Sequence, residues 1–437
     1  MDEDGLGNEP LATLDDSERF DWLRLFRCEN IGPKTFQVLL SRHGSAGAAL
    51  AALPGLIESG KAGRSIRIAT IEETGREMEE TAKLGARFIA ICEKDYPPLL
   101  RRTASAPPLI AVRGNLASLE RSKIAIVGAR NASAGGLAFT AQLARGIGRA
   151  GYVIVSGLAR GIDAKAHQTA LETGTIAVLA GGLGNIYPAD HENLLEQIVE
   201  RGAAISEMPF GWEARGRDFP RRNRIVAGLC RAIVVVEAAR RSGSLITARF
   251  AAEQGREIFA VPGSPLDPRA EGANQLLRDG ASFCTGPEDV TEAMAEQDLP
   301  HKQQELGFLE ADFAAMLDEP LWDELELAGE ARVPVPFADK EEVRSSGLAR
   351  PLSHSAARPH PAGQGERPQS DIAARVAGLL GPAPVPVDEL ARLAEAPARQ
   401  VRTILMELAL AGQIEWHGGD LVSALPGFWP RSSGAPD

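Results

Sequence analysis

The sequence predicts an α/β fold: a Rossmann-like, doubly wound and mainly parallel sheet, preceded by a helical domain and followed by a winged helix. Three observations carry this expectation. From Lys123 onward, seven short apolar segments (KIAIVGA, YVIVSGLA, TIAVLAGG, AAISEM, AIVVVEA, EIFAVPG and ASFC) recur at regular spacing. Helical stretches such as GLAFTAQLARGIGRAG and GIDAKAHQTALETG lie between them, the crossover that parallel strands require. The strands are also apolar throughout rather than at alternate positions, as strands covered on both faces must be.

The flanks read differently. Within residues 17–84, SERFDWLRLFRC, KTFQVLLSRHG and AGAALAALPGL are short helices separated by glycine and proline, followed by a charged amphipathic helix that leads into the strand RFIAICE. The break at Ile31-Gly32-Pro33 resembles a helix-hairpin-helix turn, although one such tripeptide is a weak signal and plain helix packing is the favoured reading. Residues 85–290 hold the sheet, and 291–370 read as a linker, first acidic and then rich in proline. Residues 371–425 contain three helices, DIAARVAGLLG, VDELARLAE and ARQVRTILMELALAG, followed by the hairpin-like QIEWHGGDLVSA. That order is a winged helix, open to either DNA or protein contact. Residues 1–16 are an acidic tail expected to be disordered, and 426–437 a second tail.

Composition excludes several classes. The 437 residues contain no apolar run long enough to span a membrane, and the acidic start MDEDGLGNEP is unlike a targeting peptide, so a cytoplasmic protein is expected. Four separated cysteines without a CxxC pair argue against a disulfide framework and against zinc. The net charge of −12 hides an uneven distribution. Residues 101–256 hold 21 Lys and Arg against 12 Asp and Glu, a balance of +9, whereas residues 286–342 hold 3 against 17, a balance of −14. Such fields stay separate beyond a Debye length of about 8–10 Å, so the central domain can attract a polyanion.

The candidate chemistry lies where strands end, which is where open α/β sheets bind ligands. The first strand runs into Gly128, Ala129 and Arg130, then Ser133 and the glycines 135 and 136 at a helix start. Helix N-terminal N–H groups and a planar guanidinium both suit phosphate. The second ends in Ser156, Gly157, Arg160, Gly161 and Asp163, followed by Lys165 and His167. No acidic residue stands where a dinucleotide ribose would need one, and no GxxxxGK[ST] occurs, so neither NAD nor a P-loop nucleotide is expected. A third cluster, Arg221, Arg222, Asn223 and Arg224, stands just before the helix IVAGLC. Its cations oppose the helix dipole unless an anion compensates, and Glu207 and Glu237 are candidate internal partners. The fourth is Arg240-Arg241-Ser242-Gly243-Ser244, a turn opening another helix. Asp163 reads as an anchor for its loop, His167 as a structural histidine and His191 as part of a helix start.

These segments, VGARN, SGLARGIDAKAHQTAL, GGLGNIYPADHENL, ISEMP, FPRRNRIVAGL, VVVEAARRSGSLITARFAAEQGREIFAVPG and GANQLLRDGA, resemble the DprA/Smf family in order and content. The resemblance covers residues 95–285 densely. The N-terminal helices look like the family's SAM-like domain. It implies a dimeric protein that binds and protects single-stranded DNA and loads the RecA recombinase in natural transformation, without enzymatic activity, cofactor, metal or membrane insertion. By motif position the implied DNA pocket includes Gly128, Arg130, Ser156, Gly157, Arg160, Gly161, Lys165, Arg221, Arg222, Asn223 and Arg224. Ser242, Gly243 and Ser244 join them as a phosphate-type turn. The chain departs from the family at Ala129, where serine or threonine is usual, and at Gly135, where a tyrosine is usual. With 5% aromatic residues, phosphate contacts are expected to outweigh base stacking. Two other classes compete: a Rossmann-like phosphoribohydrolase, whose PGGxGTxxE motif is missing here, and a scaffold acting through the acidic segment and the winged helix.

Overall fold

The computed structural model describes residues 13–58, 67–298, 369–417 and 420–425. Its centre is a nine-stranded sheet: β1 (Ala86–Ala90), β2 (Leu109–Gly114), β3 (Lys123–Val127), β4 (Val153–Ser156), β5 (Thr175–Val178), β6 (Ala203–Ser206), β7 (Ala232–Val235), β8 (Glu257–Ala260) and β9 (Ser282–Phe283). The spatial order is β1-β2-β6-β5-β4-β3-β7-β8-β9. All pairs from β6 to β9 are parallel, and β2 joins β6 and β1 antiparallel. β3, β4, β5, β6 and β7 are buried along their whole length, which explains their unbroken apolar sequences. The chain winds from β3 through β4 to one side and returns to β7 on the other, so the loops after β3 and β7 flank the switch point of the sheet.

The mainly parallel sheet is as the sequence predicts. One strand goes beyond that expectation: β2, the segment LIAVRG, extends the sheet through an antiparallel pair with β1.

The N-terminal helices are set by local signals. Asp15 and Glu18 form a capping box at the start of helix Asp16–Phe26, and Thr70 and Glu73 do the same for helix Ile71–Lys83. Pro33 opens helix Pro33–His43, where its missing N–H is tolerated. With helix Ala46–Glu58 they bury Trp22, Leu23, Leu25, Phe26 and Phe36, the Trp22 and Phe36 rings lying 5.0 Å apart. This core runs without interruption into Phe88 and Leu109 of the antiparallel strands and into Leu195 and Ile198.

At the other end, helix Pro287–Asp298 covers residues 291–298, expected to begin the linker. Its Val290 and Met294, one turn apart and fully buried, pack against the sheet domain. The remainder of the expected linker, and most of both expected tails, lie outside the described residues. Helices Gln369–Leu379, Val387–Leu393 and Ala398–Leu410 then form a winged helix with β10 (Val385–Pro386), β11 (Ile414–His417) and β12 (Leu421–Ala424). β10 adds a third strand to the expected hairpin, in the order β10-β12-β11. Residues 372–417 and 420–425 belong to the same compact unit as the sheet. Among the described residues no helix is long and apolar enough to cross a membrane.

Candidate nucleic-acid interface

Every parallel strand ends on the same edge of the sheet, so the four predicted loops meet there. After β3, Gly128 is required by packing: a Cβ would lie 2.7 Å from Ile162 and 3.0 Å from the Glu237 carbonyl. Arg130 is exposed, its guanidinium 4.9 Å above the Phe219 ring. Ser133 caps helix Ala134–Arg149 by accepting from the Gly136 N–H at 2.9 Å. Its own N–H and hydroxyl donate to Glu237 at 3.0 and 2.6 Å. The helix start expected to hold an external phosphate thus holds an internal carboxylate, and Gly136 leaves the room for it. Glu237 serves this cap rather than positioning an arginine.

After β4 the backbone turns through Leu158 at φ 58° and Gly161 at φ 76°. The buried Asp163 carboxylate anchors the turn, accepting from the N–H groups of Gly157 (3.1 Å) and Ala159 (3.4 Å). Burial pushes its pKa up, against the opposing pull of Arg222. Ser156 is buried and donates to the Ile126 carbonyl at 2.7 Å. Arg160 is exposed and pairs with Asp190 at 2.5 Å. Lys165 is half-buried; burial and then Arg392 lower its pKa. His167 is buried with Nδ1 2.7 Å from the Thr175 hydroxyl, and burial pulls its pKa down to about 3. It is neutral at neutral pH and structural, as expected. His191 Nδ1 lies 2.8 Å from the Leu158 carbonyl and fastens the same turn.

The third cluster does not precede a helix but lies inside one, Asp218–Leu229. Pro220 is accommodated in the first turn, where no intrahelical donor is lost. Only Arg221 reaches the surface, with 32% of its side chain exposed. Arg221 and Arg224 both bind the buried Glu207 carboxylate, and Arg224 also donates to the Ser105 carbonyl. Burial alone would raise the Glu207 pKa; the two arginines overcome it and hold the pKa below the usual carboxylate range. Arg222 is buried beside Asp163, donating to the carbonyls of Gly157 and Val178, and burial lowers its pKa to about 10. A Cβ on Gly157 would overlap its guanidinium. Asn223 donates to the Gly243 carbonyl at 3.1 Å, tying this helix to the turn after β7. There Ser242 caps helix Gly243–Glu253, and its hydroxyl lies 2.7 Å from that of the buried Ser244. Arg240 and Arg241 are exposed, Arg240 3.5 Å from Glu271.

The predicted residues therefore separate into two sets. Arg130, Arg160, Lys165 and Arg221 present charge to solvent, together with Arg240 and Arg241. Ser156, Arg222, Asn223, Arg224 and Ser244 form the frame beneath, with Gly128, Gly157 and Gly161 allowing its close packing. The sequence places one aromatic residue, Phe219, within the arginine loops, but its ring partners were missed. Tyr187, exposed in the loop after β5, packs edge-on against Phe219 at 5.3 Å, and Arg130 stacks on Phe219. Nearby, Arg215 lies 4.8 Å over Trp212, whose Nε1–H donates to Asp218, the neighbour of Phe219. The YP and FP dipeptides carry the two rings, but Phe219 follows Tyr187 by 32 positions, and no local pattern joins them. Among the described residues no cluster of His, Cys, Asp and Glu could hold a metal.

Comparison with known proteins agrees with this architecture. Three family profiles match in chain order: a DprA-like N-terminal HHH domain over residues 16–79, DNA recombination-mediator protein A over 87–295, and a DprA winged helix domain over 360–420. The chain is 34% identical to Protein Smf of Synechocystis over 319 residues, covering 68% of this chain and 77% of that protein. It is 39% identical to the DNA processing protein DprA of Bacillus subtilis, covering 50% of this chain and 75% of the relative. Protein Smf of Escherichia coli is 44% identical over 200 residues, and there the match spans only 54% of the relative. The X-ray structure of DprA from Streptococcus pneumoniae superposes with a TM-score of 0.55 at 31% identity, covering 64% of this chain and 98% of that one.

Proposed function

Because the chain belongs to the DprA/Smf family of DNA recombination-mediator proteins, we propose that it binds single-stranded DNA along the carboxyl edge of its parallel sheet. The observation that carries this reading is Arg130 stacked on Phe219, with the exposed Tyr187 ring against the same side chain. Aromatic faces beside cations suit unpaired bases and their phosphates, whereas a duplex keeps its base faces covered. Arg160, Lys165, Arg221, Arg240 and Arg241 supply further positive charge. Stacking therefore takes a larger share than the low aromatic content suggests. Following the family, the bound strand would be protected by a dimer of this chain and passed to RecA during transformation or recombination. A free-nucleotide enzyme is disfavoured by Glu237, which occupies the helix start a nucleotide phosphate would need.

Fluorescence anisotropy with labelled single- and double-stranded oligonucleotides at two salt concentrations tests the reading. Tighter binding of the single strand, weakening steeply with salt, is expected. Arg130→Ala and Tyr187→Ala should each weaken it, by about 1–3 kcal/mol for a lost stacking contact. Equal affinity for both DNA forms, or wild-type binding by both variants, would remove the proposed interface.

A further inference from the structure

The winged helix does not stand apart from this edge of the sheet. Arg269, in the loop after β8, donates to the carbonyls of Gly378 (3.0 Å) and Leu380 (2.7 Å) at the end of helix Gln369–Leu379. Terminal helix carbonyls lack intrahelical donors and favour a cation, so this is a well-matched latch. Asp267 holds the same guanidinium from the other side at 3.0 Å. Ala134, the first residue of the helix after the Arg130 loop, is buried in the winged-helix core with Val376 and Leu380. Gly378 allows the close approach, since a Cβ there would lie 3.2 Å from Asn131 Oδ1, and Gly381 sits in ordinary contact distance of Ser133. Helix Val387–Leu393 packs on helix Ala134–Arg149 and brings Glu389 and Arg392 into the electrostatic reach of Lys165.

Charge fits the same picture. Residues 372–425 carry 4 arginines against 6 carboxylates, a balance of −2, and lie on a sheet domain whose residues 101–256 balance at +9. An acidic unit of this kind is a poor ligand for DNA and a good one for a DNA-binding surface. We propose that the winged helix is a displaceable cover on one flank of the groove, latched by Arg269 and seated beside Asn131 and against the half-buried Lys165, and that single-stranded DNA gains this flank only when the cover lifts. This rests on the DNA-binding reading of the loop after β3. A ligand that needs a minor open state binds more weakly by the fraction of chains that are open.

The test uses the full chain with Asn131→Cys and Gly378→Cys, a pair that closes the contact by a disulfide under oxidation and frees it on reduction. Oxidised protein is expected to bind labelled single-stranded DNA about tenfold more weakly than the same protein reduced. Wild type measured under both conditions controls for the native cysteines. Glu389→Gln, which removes one competing carboxylate without a change of shape, should tighten binding severalfold. If oxidation and Glu389→Gln both leave affinity unchanged while Arg130→Ala weakens it, the cover is wrong and the groove stands. If Arg130→Ala is silent as well, the groove itself is wrong and the cover falls with it.

Discussion

Arg130 and Arg224 belong to one pocket by motif position, yet their environments predict opposite phenotypes. Arg224 is buried against Glu207 and the Ser105 carbonyl. Arg224→Ala would leave a buried carboxylate short of one partner, a loss of about 3–5 kcal/mol in stability. Arg130 is exposed, so Arg130→Ala should leave the unfolding midpoint nearly unchanged while lowering DNA affinity and reducing the salt slope by about one unit. Urea unfolding beside anisotropy separates the two, and a destabilised Arg130→Ala protein would contradict the assignment. His167 adds a pH effect. Its folded pKa, about 3, lies below the ordinary 6.5, so below pH 6.5 the unfolded chain takes up a proton that the folded protein refuses. Stability should then fall with pH from about 6.5 toward 3, by up to about 1.4 kcal/mol per unit. His167→Gln should flatten that slope between pH 6.5 and 5 in urea titrations. Arginine content was legible in the sequence, but the division into exposed and buried cations was not. Glu207 and the carbonyls of Gly157 and Val178 decide it, and the fold alone brings them to the helix.

Among elements, the turn after β4 shows what its glycines do: they let two loops pack closely. Gly161 has φ 76°, and a Cβ there would lie 2.3 Å from the Ala129 carbonyl oxygen. Gly161→Ala therefore meets both backbone strain and a collision with the Arg130 loop, and should cost at least about 2 kcal/mol by thermal or urea unfolding. An alanine variant as stable as wild type would mean that the two loops are not in contact. The strand–helix alternation was readable because buried parallel strands are apolar at every position. β2 was not, because its antiparallel neighbours are set by tertiary pairing and two prolines stand directly before it. Pro220 reads as a boundary and moves the expected start of helix Asp218–Leu229 too late, although the first helical turn accepts it.

For the whole molecule, the two flanking domains attach to the sheet in different ways. The N-terminal helices share one core with β1 and β2, including Phe88 and Leu109, both buried. Arg27 reinforces the junction, pairing with Glu77 and donating to the Glu207 carbonyl at 3.1 Å, while the Phe210 N–H donates to Glu77 at 3.2 Å. The winged helix has its own core, which takes only Ala134 from the sheet domain. Truncations should therefore act unequally. A chain starting at residue 85 uncovers Phe88, Leu109 and their neighbours, each worth about 1.5–3 kcal/mol when a large side chain is buried. Against a typical total of about 5–15 kcal/mol, a few such exposures suffice to unfold a domain. Among the described residues a chain ending at residue 298 loses one shared core residue, Ala134, and the Arg269 latch, and should melt within a few degrees of the full protein. Circular dichroism melts of both truncations, with the full chain alongside, provide the comparison. If the chain starting at residue 85 melts like the full protein, the shared core contributes no stability, and the helical domain is an appendage rather than part of the sheet's foundation.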